Sequence, residues 1–182
     1  TAKLLENSYR AVNIAFIEEW GRFAEKIGIN IFPILNAIRK RPSHKNIMQP
    51  GFGVGGYCLT KDPIFCQIAA KKIFKLKNTN FEFSTKALKI NKKMPLVTFE
   101  KVKKFYSNNL KNKKILIMGV SYKEDVGDTR HSPTEMLFKK LRKNKSIVSV
   151  HDPIVPFWDE LKIKVLKSYP NINLFDSVIF TV

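Results

Sequence analysis

The chain has 182 residues, of which 44% are apolar and 14 are phenylalanine, enough to fill the core of one large domain or two small ones. With 33 basic against 15 acidic residues it carries a net charge of +18, but it has only two cysteines and three histidines. These counts speak against a disulfide framework or a metal cluster, and no run of about 18 uncharged apolar residues is present to span a membrane.

The amino terminus lacks the basic, apolar and small-residue regions of a signal peptide, so the reducing cytoplasm is the expected location. The excess charge is mostly lysine, in pieces such as "KKIFKLKN", "KNKK" and "FKKLRKNK". Spread along helices and turns, these pieces read as a solvated surface. The alternative is a field that attracts anions.

In chain order, "KLLENSYRAVNIAFIEEWGRFAEKIG" carries apolar residues on more than one helical face. It predicts a long helix from Lys3 to about Gly28, buried against several neighbours and stopped by that glycine. A second helix is predicted over Ile31 to Arg39, capped by Asn30, with Pro33 tolerated in the first turn. After a glycine-rich loop, Asp62 reads as an N-cap with Pro63 opening "IFCQIAAKKIF". A further helix is predicted from near Ser84 to about Tyr106, with Pro95 bending it.

The character changes at "KKILIMGV", which reads as a buried parallel strand over Lys114 to Gly119. Ser132, Pro133 and Glu135 then open a helix in the capping-box pattern. "SIVSV" and "SVIFTV" read as further strands joined by a helix or an irregular crossover. This order predicts an open, doubly wound parallel sheet. Because the sequence stops within the last strand, a piece of a longer protein is expected.

The loop "GFGVGGYCLTKDP" draws attention because it follows a helix rather than a strand, which removes a dinucleotide-fingerprint reading. Closely spaced glycines let backbone approach a ligand without Cβ obstruction. Cys58, shortly before a helix start and near Lys61, stands where a thiolate is favoured. A small buried hydrophobe is the plain alternative for a lone cysteine, and it is the expectation for Cys66.

That loop resembles the active-site signature of the nucleotide-sugar 6-dehydrogenases, the UDP-glucose/GDP-mannose dehydrogenase family. "AKLLENSYRAVNIAFIEE" resembles the start of the family's central helix, and "ILIMGVSYKEDVGDTRHSP" the first strand and loop of its nucleotide-binding domain. The resemblance implies an α/β protein. An all-helical central dimerisation domain over residues 1–109 would carry the catalytic cysteine loop, and an incomplete Rossmann-like doubly wound sheet over 110–182 would bind a UDP-sugar.

It further implies an oxidoreductase that takes the C6 alcohol of a UDP-sugar to the carboxylate with two equivalents of NAD, in the service of polysaccharide synthesis. A thiolate adding to the intermediate aldehyde permits the second oxidation through a thioester. Cys58 matches that nucleophile, and Asp62 a carboxylate that activates water. Lys3 and Asn7, one helical turn apart, match the pair that stabilises an oxyanion. Phe52, Gly53, Gly55, Gly56 and Tyr57 of the loop, with Lys123, match substrate contacts, and Lys61 and Arg130 match cofactor contacts. Asp128 is expected to hold Arg130 by a bidentate pair. Arg41 is the candidate to reach a neighbouring subunit's substrate, with His44 and Lys45 as alternatives.

The family opens with an NAD-binding Rossmann domain that is not in this sequence, so this stretch alone is expected to be inactive. Tyr57 stands where relatives often carry His or Ser. "GVGGYC" with "ENSYRAVNIA" is closer to the branch acting on UDP-N-acetylhexosamines than to the UDP-glucose branch, where "GFGGSC" is usual. A homodimer or higher homo-oligomer is expected, with no metal, nucleic acid or membrane as partner. Two readings of other classes stand beside this one: a non-catalytic dimerisation module, and a nucleic-acid binder working through the positive field.

Overall fold

The structure is a computed structural model that describes all residues, 1–182. It divides into two compact units: residues 1–51 with 58–91, and residues 52–57 with 92–182.

In the first unit, α1 (Ala2–Lys26) ends where Ile27 leaves the helix and Gly28 takes φ +72°, a value glycine adopts without strain. The short α2 (Ile31–Arg39) begins as its sequence predicts, with the Asn30 side chain accepting a hydrogen bond from the Phe32 N–H at 3.1 Å. Ile31 and Leu35 of α2 pack with Ile17 and Ala24 of α1 to make the core of this unit, with Ile47 and Met48 against it.

The expectation that α1 is buried on several sides is corrected. Its inward face carries small side chains, Ala11, Ala15 and Ala24, with Ile17, Asn7 and Glu18. The large ones, Leu5, Tyr9, Phe16, Trp20 and Phe23, are each half or more exposed, as is Ile27 just past the helix. α2 and α3 (Asp62–Lys72) cover one side of the helix, and small residues let them come close.

A second correction concerns the start of α3. Lys61 occupies the cap position without a side-chain cap hydrogen bond, and Asp62 is the first helical residue. The Asp62 carboxylate is turned to other partners. The next helix, α4 (Glu82–Phe105), runs through Pro95 without interruption, and the division between units falls within it after Asn91. Buried Asn91 donates its amide N–H to the Ala11 carbonyl at 3.0 Å, fastening the first part of α4 to α1.

In the second unit, β1 (Lys114–Met118) is the middle strand of an all-parallel sheet, flanked by β2 (Ile147–His151) and, on its other side, by the last strand, Ser177–Phe180. Ile117 stands opposite Val150 on one neighbour and Ile179 on the other. Ile115, Leu116 and Ile117 are fully buried, which is why this strand reads as a continuous apolar run. Its core includes Leu137 and Leu141 of α5 (Pro133–Lys143) and Trp158. The Ser132 hydroxyl accepts from the Thr134 N–H at 3.3 Å. The reciprocal half of the predicted capping box is absent, because Glu135 pairs with Lys139 instead. The crossover is irregular: a short antiparallel pair, β3 (Phe157–Trp158) and β4 (Ile163–Lys164), then a single 3-10 turn and the final strand, β5.

Candidate active site

The first unit brings Asn7 and Asp62 together. The Asn7 amide donates to one Asp62 carboxylate oxygen at 2.8 Å, and the Lys61 ammonium donates to the other at 3.0 Å. Both Asn7 and Asp62 are buried. The hydrogen bond from Lys61 holds the Asp62 carboxyl below its usual range. Burial works against this, while Asn7 and the charge of Lys3 assist it. The carboxylate is therefore ionised at neutral pH. It fixes the Asn7 side chain, whose amide carries a second N–H donor. Lys3 is exposed one turn earlier on α1.

Cys58 is a free, half-buried thiol. Its carbonyl accepts from the backbone N–H groups of Lys61 and Asp62 at 3.1 and 2.9 Å, so a single turn links the cysteine to the first residue of α3. Cys66 departs from expectation in being partly exposed. α3 buries only Asp62, Pro63 and Ala70, too narrow a face to enclose it.

Arg41, His44 and Lys45 are all exposed on a loop pinned at its two ends. The Arg39 guanidinium donates to the Ile47 carbonyl at 2.8 and 3.1 Å, and the Asn13 amide donates to the Asn46 carbonyl at 3.2 Å. His44 Nδ1 lies 2.8 Å from the Ser43 hydroxyl.

In the second unit, the glycine segment is drawn against the loop that follows β1 and the start of α5. A Cβ on Gly55 would stand 2.5 Å from Tyr122 Cβ and 2.8 Å from the His131 carbonyl oxygen, and one on Gly53 would collide with Pro133. Gly56 takes φ +76° and its N–H donates to the Arg130 carbonyl at 3.1 Å. The missing side chains thus make room for protein, where the sequence suggested room for a ligand. Phe52 packs on the core of this unit, and Tyr57 is exposed, with its ring 6.3 Å from that of His131.

Lys123 is exposed on the loop after β1. The expected fork is present: Arg130 Nε donates to the two Asp128 oxygens at 2.9 and 3.1 Å, and its Nη2 to Oδ2 at 2.6 Å. The side chain stays two-thirds exposed, so it is aimed and still open to solvent, which suits a phosphate. Lys61, the other residue matched to a cofactor contact, has its ammonium on Asp62 and over the Phe65 ring at 4.7 Å.

Sequence reasoning missed Asp152. Buried at the end of β2, it accepts from Val120 and Ser121 N–H groups through Oδ2 at 2.9 and 3.4 Å, and from Ile154 and Val155 through Oδ1 at 2.9 and 3.1 Å. It shapes the loop that carries Lys123. The signal was the "HDP" turn directly after a strand, where an aspartate bonds to backbone two residues on.

A helical unit with Lys, Asn, Cys and Asp on neighbouring elements, followed by a parallel sheet, makes this an α/β chain of Rossmann-like architecture. Residues 1–93 match the central domain of the UDP-glucose/GDP-mannose dehydrogenase family, and residues 116–182 match its UDP binding domain. The chain belongs to that family.

A UDP-N-acetyl-D-mannosamine dehydrogenase of Methanocaldococcus jannaschii is 41% identical over 139 residues, covering 76% of this chain and 30% of the relative. The solved UDP-N-acetyl-mannosamine dehydrogenase of S. aureus is 30% identical with a TM-score of 0.73, covering 99% of this chain and 40% of that one. The NDP-N-acetyl-D-galactosaminuronic acid dehydrogenase of Methanosarcina mazei Go1 has a TM-score of 0.86 at 22% identity, which shows the shared fold. The chain thus spans well under half the length of each.

Proposed function

We propose that this chain supplies the central helical part (residues 1–109) and a nucleotide-binding part (residues 110–182) of an NAD-dependent oxidoreductase. The enzyme converts the C6 alcohol of a UDP-N-acetylhexosamine to the carboxylate, in the cytoplasm, for surface polysaccharide. The Asn7–Asp62 hydrogen bond carries the reading, because it places an ionised carboxylate and a fixed amide donor one turn from Cys58.

NAD, when bound, supplies the acceptor for each of the two hydrides that leave C6. The chain's own residues do the rest. The Cys58 thiolate adds to the aldehyde carbon, forming a C–S bond and a thiohemiacetal oxyanion. The second N–H of Asn7 and the Lys3 ammonium stabilise that oxyanion. Loss of the second hydride leaves a thioester on Cys58, which water cleaves to the carboxylate and the free thiol. A carboxylate held low in pKa is a weak proton acceptor, so Asp62 acts chiefly by orienting water and Asn7. Arg130, steered by Asp128, fits a cofactor phosphate. Lys123 and Tyr57, the exposed side chains of the two segments, are offered to the sugar nucleotide, the glycines between Phe52 and Tyr57 serve by fixing that segment, and Arg41 serves a neighbouring subunit. Assembly as a homodimer uses the exposed apolar stripe of α1. The names of the relatives favour UDP-N-acetylmannosamine over UDP-glucose as substrate.

The test is product stoichiometry with the intact polypeptide. Two NADH per sugar acid are expected with UDP-N-acetylmannosamine. Cys58→Ser should keep substrate binding and form no acid, and acid formation at the normal rate in that variant would overturn the thioester route.

A further inference from the structure

The amino-terminal edge of the parallel sheet carries a charge density that the catalytic reading does not use. Residues 101–114, "KVKKFYSNNLKNKK", include six lysines, and residues 136–151, "MLFKKLRKNKSIVSVH", four lysines and an arginine. Neither segment contains an acidic residue.

The fold brings the end of the first segment and the 143–147 turn of the second to one edge. The Asn112 N–H donates to the Lys145 carbonyl at 2.9 Å, and the Ile147 N–H to the Lys113 carbonyl at 2.9 Å. The Tyr106 hydroxyl, at the end of α4, lies 2.5 Å from that of Ser177 on β5, and the Lys113 ammonium sits 5.0 Å from the centre of the Tyr106 ring. Lys114, Ile147 and Ser177 therefore stand near the amino ends of three adjacent strands, each about 4.8 Å from the next. α4 and α5 end on this side, and their carbonyl ends welcome some positive charge. Each such end amounts to only about half a negative charge, far less than the lysines supply. The acidic groups on these elements are few: Asp176 accepts from the Lys114 N–H, Glu100 is exposed one turn before Lys104 on α4, and Glu135, in the first turn of α5 away from this edge, pairs with Lys139.

Apolar side chains stand among the lysines. Phe105 is 76% exposed, Leu174 63% and Ile147 47%. We propose that this edge is a peripheral contact surface for an anionic lipid bilayer, with the lysines on the headgroups and Phe105 and Leu174 in the interfacial layer. The phosphates of a nucleic acid would engage the lysines but offer nothing to Leu174 or Ile147. Contact needs no spanning segment, so it is compatible with the absence of a helix long and apolar enough to cross a membrane. Lys123 and Asp152 lie past the carboxyl ends of the strands, so a bilayer at the amino edge leaves the nucleotide side open.

The experiment is sedimentation of the intact protein with vesicles of phosphatidylcholine alone or mixed with phosphatidylserine. Binding is expected only to the mixed vesicles and should weaken as salt rises. Replacing Lys104, Lys111 and Lys143 by Gln should weaken partition by about fivefold per lysine. Phe105→Ser with Leu174→Ser should weaken it even at low salt, which a purely ionic surface would not show. The circular dichroism of both variants should match the parent, since every changed side chain is on the surface. No binding of the parent protein at low salt, or unchanged binding of the lysine variant, would overturn the proposal. Displacement from vesicles by duplex DNA, with DNA affinity untouched by the Phe105 and Leu174 changes, would overturn it in favour of a nucleic-acid surface.

Discussion

The side-chain amide of Asn7 donates to the carboxylate of Asp62 across 2.8 Å, although the two residues lie 55 positions apart. Nothing local requires this pairing. It ties the first turns of α1 to the first residue of α3, and it assists the Lys61 ammonium in keeping the carboxylate ionised beside the turn that bears Cys58.

Replacing Asn7 by Ala should destabilise the protein by about 1–3 kcal/mol, since it strips one partner from a buried carboxylate. The pH dependence has a definite sign. The folded-state pKa of Asp62 is lowered, so its contribution to stability is present above the ordinary carboxylate value of about 3.9 and fades as pH falls below it. Thermal unfolding of the parent and Asp62→Asn should show a gap that is constant near neutrality and narrows below about pH 4. A gap independent of pH would mean that Asp62 is not held as an anion.

Asp152→Ala should cost about 3 kcal/mol or more, because it leaves several buried backbone N–H groups without an acceptor. Asp152→Asn should cost less, keeping one acceptor oxygen. Its carboxyl is also lowered, as the backbone hydrogen bonds outweigh the burial that opposes them. Denaturant titration of the two variants checks the order, and equal stabilities would refute the bonding role.

Gly55→Ala should be destabilising by about 1–3 kcal/mol, the typical cost of forcing atoms into packed space, since the new Cβ meets Tyr122 and a backbone carbonyl. Gly51→Ala is the control: nothing lies within 4 Å of the added atom, so it should be close to neutral. The pair can be compared by chemical denaturation. Comparable losses at the two positions would show that close packing is not what demands glycine at 55.

The homodimer proposed for the intact protein should give way to monomers in sedimentation velocity when Trp20→Asp is combined with Phe23→Lys. Both rings are about half exposed and touch edge to face, 6.0 Å apart, in the outer stripe of α1. A dimer that survives both charges uses another surface.

Much of the fold was legible because local signals and tertiary demands agree. The bounds of α2 follow from Asn30 and Pro33, and the apolar run of β1 announces a strand covered on both faces. Cys58 stood out through the glycines before it and the Lys61–Asp62 pair after it. Where a side chain had two possible uses, the sequence did not choose. Asp62 has the chemistry of a cap and of a buried anion, and the approach of Asn7 and Lys61 decides for the anion. Glu135 could close a capping box or pair along the helix, and Lys139 takes it.

The succession of elements, the family and the residues available for chemistry were all written in the order of side chains, because helix period, strand runs and turn residues act over a few positions. Which face of α1 is covered was settled by the neighbours that pack on it. So was the requirement for glycine at 53 and 55, which comes from Pro133, Tyr122 and His131, and so was the anchoring of two loops by Asp152. Those outcomes depend on distances between segments remote in sequence, and such distances exist only once the chain has folded.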